Sequence, residues 1–119
     1  MASELRITTL ANNAGTESVD TTYVINGSAK VWCNNDQNST HDIAGSLNVS
    51  SVTDAAAGKS TINYTNSMND AGFSAQGSGF DSAVYVTISI NNLTTSNHNW
   101  QTNGVDCEGV FNTVHGDLA

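Results

Sequence analysis

The sequence predicts an all-β fold, a small antiparallel β-sandwich of about seven short strands with an extended N-terminal arm. Three observations carry that reading. Ala83–Ile90 (AVYVTISI) alternates with period two: Val84, Val86, Ile88 and Ile90 on one side, Ala83, Tyr85, Thr87 and Ser89 on the other. Leu47–Tyr64 (LNVSSVTDAAAGKSTINY) reads as a β-hairpin whose two apolar-polar runs flank Asp54-Ala-Ala-Ala-Gly58. No stretch sustains the apolar spacing of a helix.

Taken in order, residues 1–22 form an arm. Leu5, Ile7 and Thr9 alternate with Arg6, Thr8 and Leu10 in one short strand, and Asn12-Asn-Ala-Gly-Thr16 is a turn. So few apolar groups cannot fold alone, so the arm is expected to be extended and ordered by a partner. The β domain then spans residues 23–119. Tyr23–Trp32 predicts a strand pair or a bent strand with Gly27 at the bend, and Trp32 belongs to the core. Asn34–Thr40 (NNDQNST) is a loop by composition.

Strands over Ile43–Val52 and Lys59–Asn66 make the central hairpin. Gly58 supplies a positive φ and Asp54 caps the turn with its side chain. Asp70-Ala-Gly-Phe73 turns into a short strand, and Gln76-Gly-Ser-Gly79 is a flexible loop. Asn91–Gly104 is a long polar loop interrupted by Leu93 and Trp100. The final strand is Val105–His115, with Val105, Cys107 and Phe111 inward and a bulge at Gly109.

The bulk composition narrows the function. The 119 residues hold one domain, with 38% apolar and 7% aromatic residues, a lean core for which oligomerisation is an ordinary remedy. Net charge is −8 and charged residues are 12%, the polarity resting on Asn, Ser and Thr. Arg6, Lys30 and Lys59 cannot track a phosphate backbone or an anionic bilayer, so neither nucleic acid nor membrane is an expected partner. The chain opens on neither a signal peptide nor an apolar run long enough to span a bilayer, which predicts synthesis in a cytoplasm without classical export. Cys33 and Cys107 then read as two buried thiols, although a pairing stays open.

Few residues suggest chemistry. His41, His98 and His115 are isolated, and their spacing supports no catalytic residue and no enzyme. Asn34, Asp36 and Asn38 alternate as the first ligands of a calcium loop would. Ser39 and Gly45 then stand where that loop needs glycine and glutamate, so neither metal nor cofactor is expected. Asp106 and Glu108 flank Cys107 as solvated carboxylates. Five Asn-x-Ser/Thr triplets carry no glycosylation in a chain made without export. Trp100, among Asn99, Gln101 and Asn103, is the one candidate ligand contact, a sugar-stacking platform in a polar loop or else a lid over the core.

Gly27-Ser-Ala-Lys30-Val-Trp32, Ile43-Ala-Gly-Ser46-Leu-Asn48-Val-Ser-Ser-Val-Thr-Asp54, Gly58, Thr61-Ile-Asn63-Tyr-Thr65, Met68-Asn-Asp70-Ala71 and Phe73 follow one another in order. This series resembles a small β domain that recurs in fibre and other tail-associated proteins of tailed bacteriophages. The closing Val110-Phe111 with Gly116-Asp117, and the leading Leu5-Arg-Ile-Thr-Thr-Leu10, are similar as well. Cys33 stands where that domain usually has Val, and Asn69 where it has Pro.

The resemblance implies a virion structural protein made in the host cytoplasm: a short tail-fibre-like homotrimer. Leu5, Ile7 and Leu10 would anchor it to other tail or capsid proteins, and a host-surface glycan is a further possible partner. Two alternatives stand beside it, a trimeric capsid decoration or head-fibre protein and a carbohydrate-binding receptor-attachment module.

Overall fold

In the computed structural model, residues 3–38, 40–83 and 85–119 are described. The chain is all-β with one short helix. Among the described residues, eight strands form two four-stranded antiparallel sheets, and two more form a separate hairpin in the N-terminal arm.

The arm pairs with itself instead of running extended. β1 (Thr9–Ala11) lies antiparallel to β2 (Ser18–Asp20). Asn12 closes the turn: its Oδ1 accepts the Thr16 N–H and its Nδ2 donates to Thr16 Oγ1, each at 3.0 Å, with Gly15 at φ +67°. A helix follows, α1 (Thr21–Gly27), where the sequence predicts a strand. Asp20 caps it by accepting the Thr22 N–H at 2.7 Å. The cap decides the conformation locally, while Tyr23, Val24 and Ile25 look like strand formers and one short turn shows no periodicity. The arm therefore continues past residue 22 to Gly27.

β3 (Ala29–Asn35) turns Val31, Cys33 and Asn35 inward and Trp32 outward. β4 (Ile43–Leu47) and β5 (Val49–Ala56) are not one strand, because Asn48 at φ +57° breaks them. Asparagine tolerates the left-handed region, and here its Oδ1 accepts the Asn66 N–H at 2.7 Å while its Nδ2 donates to Asn66 O at 3.0 Å. At that corner the chain passes from one sheet to the other.

β5 and β6 (Lys59–Tyr64) form the hairpin that the sequence predicts, with Gly58 at φ +68°. The cap differs. Asp106 Oδ1 accepts the Gly58 N–H at 2.6 Å, whereas Asp54 pairs with Ser60 within the ladder. A Cβ on Gly58 would sit 2.1 Å from Thr102 Oγ1 and 2.7 Å from Val105 N. Gly58→Ala is expected to cost about 2 kcal/mol, combining left-handed strain with overpacking. An unchanged urea midpoint would show that the loop absorbs the methyl.

β7 (Ser74–Phe80) contains the residues expected to be a flexible glycine loop. Gly77 and Gly79 face inward and lie against Trp100; a Cβ there would meet its Nε1 at 2.8 Å and its Cη2 at 3.1 Å, respectively. β8 (Ser89–Asn91) keeps only the end of the strand expected over Ala83–Ile90. Val84 lies outside the described residues. The facing is nevertheless as expected, since Val86, Ile88 and Ile90 pack on the core while Tyr85 is exposed.

β9 (Asn97–Gln101) runs through the stretch expected to be a polar loop, and β10 (Gly109–His115) is shorter than Val105–His115. Val110, Asn112 and Val114 point inward; Val105 and Phe111 are exposed, and the ladder is irregular at Val114/His115 instead of at Gly109. The strand orders are β4-β3-β10-β7 and β5-β6-β9-β8. The core lies between the sheets in two apolar clusters. One holds Val31, Cys33, Ile62, Tyr64, Met68, Phe73 and Val114, the other Trp100, Cys107 and Val110.

Candidate functional site

The residues expected to contact a ligand do not form a surface. Trp100 is 0% exposed and sits in the core, because β9 is an inner strand of its sheet. Asn99 Oδ1 accepts from Thr61 Oγ1 at 2.9 Å, Gln101 Oε1 from Asn91 Nδ2 at 3.4 Å, and Asn103 Nδ2 donates to Tyr85 O at 3.3 Å. Their polar groups serve the sandwich itself. Trp32, expected in the core, is 39% exposed. The structure reverses the expectation for Trp32 and decides the two readings of Trp100 in favour of the core.

Trp32 belongs to the outer face of the β4-β3-β10-β7 sheet. Side chains alternate across a strand, so residues 32 and 34 of β3, 111 and 113 of β10, 76, 78 and 80 of β7, and 45 and 47 of β4 share that face; beyond Gly45 the register shifts, and Ile43 stands opposite inward-facing Asn35. Register lines them up: Leu47, Trp32, Thr113 and Gln76 form one row, and Gly45, Asn34, Phe111 and Ser78 the next. Trp32, Phe111, Phe80 and Leu47 are all exposed. Glycine seats two of the rings. The benzo end of Trp32 lies 3.3 Å from where a Gly45 Cβ would stand, and the Phe111 ring lies equally close to a Gly109 Cβ. A solvent-open groove of about 540 Å³ runs between the two rings, lined also by Asn34, Gln76, Ser78 and Thr113.

Lys30 and His115 are the ionisable strand residues on this side, and both are drawn to the arm end. Lys30 Nζ donates to Ile25 O and to Ser28 Oγ, and His115 Nδ1 shares a 2.9 Å hydrogen bond with Gly27 O. No carboxylate projects from these strands into the groove.

The arm offers a second surface. Leu5 is 82% exposed, and Ile7, Leu10, Val19, Tyr23, Val24 and Ile25 are exposed with it. Helix α1 buries no residue at all.

The titratable interior is of a structural kind. His98 Nδ1 and the Tyr64 hydroxyl share a 2.8 Å hydrogen bond between β9 and β6. Burial lowers the His98 pKa to about 4 and raises that of Tyr64, so both are neutral near pH 7. Cys33 and Cys107 are free buried thiols, each pushed up to about 11, Cys33 by burial and Cys107 by burial with added repulsion from Asp81 and Asp106. They sit in different core clusters. Gln37 bridges strands from the interior, donating to Ser60 Oγ at 2.7 Å and accepting the Cys107 N–H at 3.2 Å.

His41 approaches Asp54 at 3.9 Å. Among the described residues, no three His, Cys, Asp or Glu side chains gather as a metal site would need, and no helix is long and apolar enough to cross a membrane. The Asn34–Asn38 stretch closes on itself: Asp36 Oδ1 accepts the Asn38 N–H at 2.7 Å.

The alternation in AKVWCNN and GVFNTVH was a usable signal for the groove, since Trp32 and Phe111 fall on the opposite parity from Val31, Cys33, Val110 and Val114. Comparison with protein-family models, with curated proteins and with solved structures finds no match to this chain.

Proposed function

We propose that the chain is a structural subunit of a bacteriophage virion, a short tail-fibre-like homotrimer anchored by its N-terminal arm. The observation that carries this reading is the arm itself. Seven apolar side chains between Leu5 and Ile25 stand exposed, on the lead-in to β1, the hairpin and a short helix that contain no buried residue. A contiguous exposed apolar surface on a small unit marks a docking site, and a two-stranded hairpin is marginal until something covers it. The molecule is elongated, with extents of 51 × 30 × 26 Å, as an arm projecting from a compact sandwich requires. The scarcity of charge fits close packing of like chains around a symmetry axis, where hydroxyls and amides can satisfy each other.

Removing residues 1–27 tests the role. The truncated chain should keep a cooperative thermal transition, because both core clusters lie beyond residue 28. It should fail to enter particles assembled in its presence. Incorporation of the truncated form would refute anchoring by the arm. Light scattering after size exclusion should give three chains for the intact protein at micromolar concentration, and a monomer would refute the trimer.

A further inference from the structure

We propose that the groove between Trp32 and Phe111, on the outer face of the β4-β3-β10-β7 sheet, binds a neutral glycan chain. The inference goes beyond the anchoring role and does not depend on it, since the groove and the arm are different surfaces.

Three features of the groove converge. The first is the pair of aromatic rings. In a chain that is 7% aromatic, Trp32, Phe111 and Phe80 are spent on one solvent-facing surface. The strand neighbours Gly45 and Gly109 leave room for the Trp32 and Phe111 rings to lean onto the sheet. The face of such a ring carries partial negative charge, and the C–H bonds on one face of a pyranose present the complementary positive edge.

The second feature is the polar lining. Asn34 and Gln76 offer amides that both donate and accept, and Ser78 and Thr113 offer hydroxyls. Among the described residues, no side-chain hydrogen bond within the protein engages any of these four. They are free to pair with ligand hydroxyls.

The third is charge. No carboxylate projects from the strands into the groove, and Lys30 is occupied at the arm end. A cationic peptide finds no counter-ion there, and an acidic polymer meets a chain of net charge −8. A neutral, hydroxyl-rich ligand suits all three features. The volume, about 540 Å³, lies within the ordinary range of ligand sites.

The two tryptophans make the test direct. Trp100 is 0% exposed and Trp32 39% exposed, so a ligand in the groove changes the fluorescence of Trp32 alone. The full chain is titrated with dextran, laminarin, yeast mannan and galactomannan, with alginate as the acidic comparison. Emission maximum and acrylamide quenching are followed, and affinity electrophoresis in gels holding the same polysaccharides provides a second readout.

At least one neutral polymer is expected to shift the emission to the blue, to protect it from acrylamide and to retard the chain. Trp32→Ala and Phe111→Ala should each weaken retardation at least tenfold with an unchanged melting transition. Gly45→Val retains the indole but displaces it from its seat, and should weaken retardation as well. The proposal is overturned if no neutral polymer gives a shift or retardation, if alginate alone does so, or if binding survives both ring deletions. It is equally overturned if Trp32 becomes protected as protein concentration rises without sugar, because the face would then be a contact between copies.

Discussion

Trp100→Ala is expected to destabilise the chain by about 3–5 kcal/mol, the usual range for removing a large buried aromatic side chain. Trp32→Ala should change stability by less than about 1 kcal/mol. The difference follows from where each indole lies. Trp100 reaches from β9 across the sandwich to the bare backbone of Gly77 and Gly79 on β7, so it joins the two sheets where β7 has no side chain of its own. Its cluster also holds Cys107 and Val110, with Val86, Ile88 and Ile90 packed against it. A smaller residue would leave a cavity between Gly77, Gly79 and β9.

The indole Nε1 has no hydrogen-bond partner within the protein. Deleting it removes an unfavourable burial, which places the expected loss toward the lower end of the range. Urea unfolding of both variants at neutral pH provides the check. An equal loss from the two substitutions would mean that Trp32 is buried in solution.

Acidification should destabilise the native chain by about 3 kcal/mol between pH 6.5 and about 4 through His98 alone. Its ordinary pKa is 6.5, and burial lowers it to about 4 in the folded state. Above pH 6.5 the imidazole is neutral in both states and contributes no pH dependence. As pH falls below 6.5, the unfolded chain takes up a proton that the folded chain refuses, so stability declines. The decline stops near pH 4, where the folded state protonates too.

His98→Gln, which can retain a hydrogen bond to Tyr64, should be less stable than the parent at pH 7 and lose this segment of the pH dependence. Urea unfolding at pH 7 and pH 4 for both chains measures it. A variant whose stability falls as steeply as that of the parent would assign the acid sensitivity to the carboxylates instead.

Legibility varied from element to element for identifiable reasons. The hairpin around Gly58 was readable because a positive φ at a turn has one cheap residue. The alternation from Val86 to Ile90 was readable as a facing, although the ladder begins only at Ser89. The helix Thr21–Gly27 was hidden because one capped turn made of β-branched and aromatic residues shows no period. The strand Asn97–Gln101 was hidden because a polar composition concealed two inward residues, His98 and Trp100, one of them hydrogen-bonded across to Tyr64. The glycines of β7 resembled a loop because the side chain that justifies them belongs to the other sheet.

The candidate site followed the same pattern. Aromatic scarcity drew attention to both tryptophans, but the local context misplaced Trp32 in the core and left Trp100 undecided. An all-β antiparallel chain and its central hairpin were legible in the residues alone, because period-two alternation and turn chemistry act over a few residues. That Trp100 is core and Trp32 faces solvent emerges only from the packing of the two sheets. Alternation divides a strand into two faces without saying which is buried, and that choice belongs to the sheet stacked against it.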